Sequence, residues 1–287
     1  MKKTILFLLA SMMALCSACN KPVDYGDTEL RISHTVNGSP LTTDSLCYVN
    51  EAGNRFMITE IQWFLSKVTL KSEQGDEYVL GIFYIDTNLP ETLIIETTSL
   101  PCQKYISIQF TFGLDQEDNV TGLFTDAPER DMFWPESLGG GYHYMKLNGK
   151  YLDGDGNLAP MNLHMGIGQN EDLSVFYQNF FTVELPLDIT VEKGSPNVIC
   201  LDMNVDNWFR SPNTYDLHVY GSAIMQNQEA QQALKENGSD VFSIKTNDDM
   251  KSPLKTTVQL LQKAAPKPHF LTWENLKDTF SDLKERL

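Results

Sequence analysis

The alternation in Tyr105–Phe112 constrains the fold more than any other feature of the chain. Ile106, Ile108, Phe110 and Phe112 alternate with Tyr105, Ser107, Gln109 and Thr111, the period of a half-buried strand. The same period recurs in Leu30–Val36, with Leu30, Ile32, His34 and Val36 on one face, and in Phe180–Leu187, with Phe181, Val183, Leu185 and Leu187 inward. Leu46–Val49, Phe56–Ile58, Tyr78–Ile85, Thr92–Glu96, Val198–Val205 and Tyr215–Tyr220 read as further strands. Ile61–Leu70 fits both periods, and its β-branched residues favour strand. Turns fall at Asn37-Gly38-Ser39-Pro40, Glu51-Ala52-Gly53-Asn54 and Gln74-Gly75-Asp76. Leu147–Gly156 and Met161–Met165 read as a hairpin. Gln228–Glu236, closed by Asn237-Gly238, is the clear helix. Many short strands with no β-α alternation predict a mainly β chain, a β-sandwich with a few short helices near the C-terminus.

The N-terminus reads as an export signal. Met1-Lys2-Lys3 is basic, Thr4–Leu15 is apolar but short for a membrane span, and Cys16-Ser17-Ala18-Cys19 follows. Small residues before Cys19 predict a lipoprotein cleavage site with Cys19 lipidated, so the protein is expected in the cell envelope, tethered to a membrane by lipid. The expected division is a signal peptide over 1–18, a polar tether over 19–28, the sandwich over 29–250 and a helical extension over 251–287. In that extension Pro266-Lys267-Pro268 reads as a linker, and Leu276, Phe280 and Leu283 have helical spacing. Cys47, Cys102 and Cys200 allow one disulfide plus one thiol, with the pair left open. The net charge of −16 makes nucleic acid a poor partner, because phosphates would be repelled.

Gly113–Gly166 holds the most unusual composition. Met132-Phe133-Trp134-Pro135-Glu136-Ser137 abuts Gly139-Gly140-Gly141, and a strand is expected from Tyr142. The consecutive glycines permit unusual backbone angles and the close approach of a ligand or another segment. Phe112-Gly113-Leu114, Met132-Phe133-Trp134, Gly141-Tyr142, Lys146-Leu147-Asn148-Gly149 and His164-Met165-Gly166 together resemble the MbnP family, the methanobactin-associated periplasmic copper-binding proteins and their lipoprotein relatives. The resemblance extends upstream through Gly38-Ser39-Pro40-Leu41, Tyr48 and Ile58-Thr59-Glu60, and downstream to about Phe242. A second Trp, frequent in the family two residues after the first, is replaced by Glu136.

The resemblance implies a β-sandwich that binds copper. In characterised relatives a Trp oxidised to kynurenine helps to bind the metal, a dihaem partner enzyme performs that oxidation, and Trp134 matches the motif tryptophan. The implied partners are therefore copper, a dihaem peroxidase-like enzyme or an outer-membrane transporter. Copper takes imidazole and soft sulfur ligands. Among the five histidines, His34 and His164 are the leading candidate ligands, His218 is third, and Trp134 completes the set. His143 is read as lying on the side of Met145 and Leu147, and His269 as solvated. Met132, Met145, Met161 and Met165 offer sulfur, although methionine more often fills cores. Asp153-Gly154-Asp155-Gly156-Asn157 places Leu158 and His164 where a calcium loop needs Gly and Glu, so it reads as a turn. No Gly-x-Ser-x-Gly, His-Glu-x-x-His or phosphate loop is present, so no enzymatic activity is expected. The alternative to a copper protein is a metal-free surface module that uses the Gly139–Tyr142 stretch and its aromatics to hold a glycan or a protein.

Overall fold

The structure is a computed structural model and describes residues 22–245. The predicted cleavage region with Cys19, and the extension beyond 245 with His269, lie outside the described residues. The first compact unit ends at Ile244 and the second is Lys245–Leu287. In chain order the described strands are β1 (Tyr25–Val36), β2 (Ser39–Pro40), β3 (Tyr48–Val49), β4 (Arg55–Ser72), β5 (Glu77–Asp86), β6 (Ile94–Pro101) and β7 (Lys104–Phe112). They continue as β8 (Met145–Leu152), β9 (Leu158–Met165), β10 (Gly168–Gln169), β11 (Phe176–Tyr177), β12 (Phe181–Thr190), β13 (Asn197–Asn204) and β14 (Phe242–Lys245). Helix α1 spans Gln228–Asn237, and the Asn227 side chain caps it by accepting from the Ala230 N–H at 3.0 Å.

Two sheets carry the fold. The smaller runs β14-β13-β1-β2, with β6 also on β1, and β1 pairs parallel to β13. The larger runs β12-β7-β4-β8-β9, with β3 and β5 on the opposite edge of β4. Pro186 sits in β12, an outer strand of this order, where a missing N–H costs little. The inner faces meet through aromatic contacts: Trp63 packs on Phe112 and Phe242, Phe56 on Phe209, and Phe112 on Trp208. Two facing apolar sheets of this kind make the predicted sandwich, since each sheet buries its apolar side only against the other.

The larger sheet departs locally from simple alternation. Phe56–Ile58 and Ile61–Leu70 join in one long strand, β4, with a register shift between Ile58 and Glu60. One extra residue there turns both Glu60 and Gln62 to the outer face while Ile58, Ile61 and Trp63 stay inside. In β7 the registers with β12 and β4 both shift near Tyr105–Ser107, so Tyr105 is buried and Ile106 is 44% exposed, the reverse of the simple pattern. Leu46–Val49 shrinks to β3, and Thr92–Glu96 becomes a 3-10 turn, Pro90–Leu93, leading into β6. Tyr215–Tyr220 is a turn: the Asp216 carboxylate accepts from the His218 N–H and its carbonyl from the Tyr220 N–H. β1 begins at Tyr25, inside the expected tether. Cys47 is exposed, Cys102 half-buried and Cys200 buried, and no disulfide joins them.

Candidate metal centre

The stretch from Met132 to Met145 folds into a short hairpin against the larger sheet. The Trp134 N–H donates to Gly141 O at 2.7 Å, the His143 N–H donates to Met132 O at 2.7 Å, and Phe133 bridges Tyr142. Closing so tight a loop requires left-handed backbone at Gly139, Gly140 and Gly141, with φ of 113°, 69° and 80°. The space above these glycines belongs to the chain itself. A Cβ on Gly141 would collide with the Asn119 side chain, and one on Gly140 would meet Glu136 and Thr121 at 2.8 and 2.9 Å. Asn119 accepts from the Tyr142 N–H and Thr121 from the Gly141 N–H. The triple glycine is thus a closed joint.

Trp134 is 1% exposed, while its neighbour Phe133 is 62% exposed. The indole lies over Gly166, where a Cβ would sit 2.6 Å from its six-membered ring. The Gly166 N–H donates to Gln231 of α1, and Asn179 donates to Gly166 O, so the helix fixes the floor under the indole. The indole N–H donates to Leu138 O at 3.1 Å.

His143 stands edge-on to Trp134, with ring centres 4.7 Å apart, and edge-on to His164 at 5.1 Å. This overturns the placement of His143 beside Met145 and Leu147. β8 starts at Met145, and the chain bends at Tyr144, so His143 meets His164 on the outer side of the sheet. A carbonyl can only accept, so the 3.0 Å contact of His143 Nδ1 with Met132 O places the proton on Nδ1. Nε2 then carries the lone pair; it is buried and has no hydrogen-bond partner.

His164 is fixed by a second chain of bonds. Asn148 Nδ2 donates to the Glu60 carboxylate at 3.2 Å, which turns Asn148 Oδ1 towards His164 Nε2 at 2.8 Å. His164 therefore carries its proton on Nε2 and its lone pair on Nδ1. Burial pushes His143 down to about 3 and His164 down to about 4, and the Lys146 cation acts in the same direction on both. Two neutral imidazoles at neutral pH, each oriented through its other nitrogen, are the form in which histidine ligates a metal. Among the described residues no group of three or more His, Cys, Asp or Glu is arranged to hold a metal. The donors here are two imidazoles beside an indole.

Of the residues singled out from sequence, Trp134 and His164 come together, joined by His143. His34 stands elsewhere: it projects into the sandwich and its Nε2 accepts from the Trp63 indole N–H at 3.1 Å. Trp63 points to the inner face of the larger sheet, whereas His164, aligned with Lys146 and Gln62, points to the outer face. His218 is exposed and packs on Tyr151, near the far end of β8. Asp153 accepts from the Asp155 and Asn157 N–H groups, the expected turn.

The family model described as MbnP matches residues 25–233. Among solved structures, MbnP from Methylosinus trichosporium is similar with a TM-score of 0.52 and 13% identity, over 77% of this chain and 99% of that one. At that identity the likeness is one of fold. No curated protein matches the chain.

Proposed function

The chain belongs to the MbnP family, and from that premise we propose that it is a lipid-anchored protein of the cell envelope that binds copper as cargo, for acquisition, storage or delivery, without catalysing a reaction. His143 and His164 are the proposed ligands, with Trp134 or its oxidised product against them. The observation that carries this reading is the buried, unpartnered Nε2 of His143, in a ring that the Met132 carbonyl orients through Nδ1 and whose centre lies 5.1 Å from that of a second neutral imidazole. A buried lone pair with no donor is costly unless something occupies it. Imidazole suits copper, and two such ligands leave room for a further donor.

The test is metal analysis of the purified mature chain after exposure to Cu(I) and to Cu(II). About one copper per chain is expected, lost in His143→Ala and in His164→Ala and kept in His218→Ala. Retention in both of the first two variants overturns the ligand set. Intact mass of protein from its own host reports both the Cys19 lipid and the oxidation state of Trp134.

A metal-free surface module is the second reading. The exposed Phe133 and the apolar β10–β11 tip, with Leu173, Val175, Phe176 and Tyr177 at 40–45% exposure, favour it. A glycan or protein partner retained by wild type and lost in Phe133→Ser, in a chain that takes up no copper, would establish it.

A further inference from the structure

Lys146 is the residue of this face that the ligand reading leaves without a task. It lies directly opposite His164 in the β8–β9 register and between Met145 and Leu147, whose side chains point the other way. It is half-buried, and its ammonium donates to the Asp131 carbonyl at 2.8 Å. Among the described residues it makes no ion pair. Burial holds its pKa below the usual lysine value despite Glu60, Asp131 and Asp86 nearby. Glu60 accepts from Asn148 and Asn88, and Asp86 from Tyr84 and Gln62, all neutral donors that leave the carboxylates charged. The Lys146 cation acts on both imidazoles of the pair.

We propose that Lys146 is a specificity-determining residue, which makes the His143–His164 pair favour a soft monovalent cation over a divalent one. The proposal rests on the reading of that pair as a metal site. The physical reason is that repulsion from a fixed positive charge scales with the charge of the incoming ion, so a divalent ion meets twice the repulsion of a monovalent one. The half-buried setting screens this less than open water does. The two ligand nitrogens are neutral and add no negative charge; Glu60, Asp131 and Asp86 offset part of the lysine's repulsion, and Lys146 remains the charged side chain that acts on both imidazoles. Lys146 also ties Asp131, and hence the turn carrying Met132 O, to β8, so its charge is held in place relative to the pair.

The experiment compares the full mature chain with Lys146→Met and Lys146→Arg. Cu(I) and Cu(II) affinities are measured separately by competition with a chelator of known affinity for each ion. Lys146→Met is expected to tighten Cu(II) about tenfold more than Cu(I), and so to lower the Cu(II)/Cu(I) potential of the site. Lys146→Arg is expected to keep the wild-type ratio, which separates charge from packing. Copper bound with an unchanged affinity ratio in Lys146→Met overturns the inference alone, and so does an equal change in both lysine variants. A wild-type chain that retains neither ion sinks the ligand reading and this inference together.

Discussion

A methyl group on Gly166 would stand 2.6 Å from the Trp134 ring, with no flexible side-chain end there to yield. Gly166→Ala is therefore expected to push the indole off its floor, lowering stability by about 1–3 kcal/mol and shifting the tryptophan emission of the folded protein. Urea unfolding with fluorescence measures both, and an unchanged midpoint and spectrum would count against the packing described. His34 makes a separate case. It satisfies the indole N–H of Trp63 inside the core, so His34→Leu should cost about 1–3 kcal/mol by orphaning that donor while leaving copper uptake intact. Loss of copper in a folded His34→Leu chain would return His34 to the ligand set. The alternation of β1 already showed His34 among apolar neighbours; what it could not show was the partner. A buried histidine bonded to an indole and one with an unpartnered nitrogen look alike in sequence, because the difference lies in the residue across the gap.

At the scale of elements, the sandwich was legible because most strands keep period two over several residues, as in β1 and β12. The candidate centre was legible only in part, and the reason is two irregularities. The bulge between Ile58 and Glu60 brings Glu60 opposite Asn148, so a residue that simple alternation would turn inward becomes the anchor of His164. The bend at Tyr144 moves His143 from the side of Met145 to the side of His164. Bulges and bends follow from cross-strand fit, such as Gly149, whose Cβ would clash with Met57 O. A linear reading has no access to that fit. The one available signal was the pairing potential of Met132–Trp134 with Gly141–His143 across three glycines, which makes Trp134 and His143 neighbours. The Glu60–Asn148–His164 chain carries its own prediction. Asn148→Leu should leave the strand pairing intact and weaken copper binding roughly 10–100-fold, the usual effect of removing the partner that orients a ligand. Unchanged affinity in a folded Asn148→Leu chain would remove Asn148 and Glu60 from the site.

For the molecule as a whole, the buried histidines and the acidic surface pull against each other as pH falls, and their order decides the outcome. Burial holds His34 at about 4 and His143 at about 3 in the fold, against about 6.5 in an unfolded chain. Above pH 6.5 both states carry neutral rings, and these groups confer no pH dependence. Below it the unfolded chain binds protons that the fold refuses, so stability falls with pH until the folded rings titrate near 3 to 4. Protonating carboxylates relieves the self-repulsion of a chain with net charge −16, but that gain begins only near their own pKa values of about 4. Between pH 6.5 and 5 the histidines therefore act almost unopposed. Urea midpoints are expected to drop steadily across that window, by an amount worth a few kcal/mol, and His34→Gln is expected to flatten the slope by removing one of the refused protons. A midpoint that stays level from pH 7 to 5 would mean that these rings open to water before the fold does, and the neutral imidazole pair on which the proposed copper binding depends would no longer be guaranteed by burial.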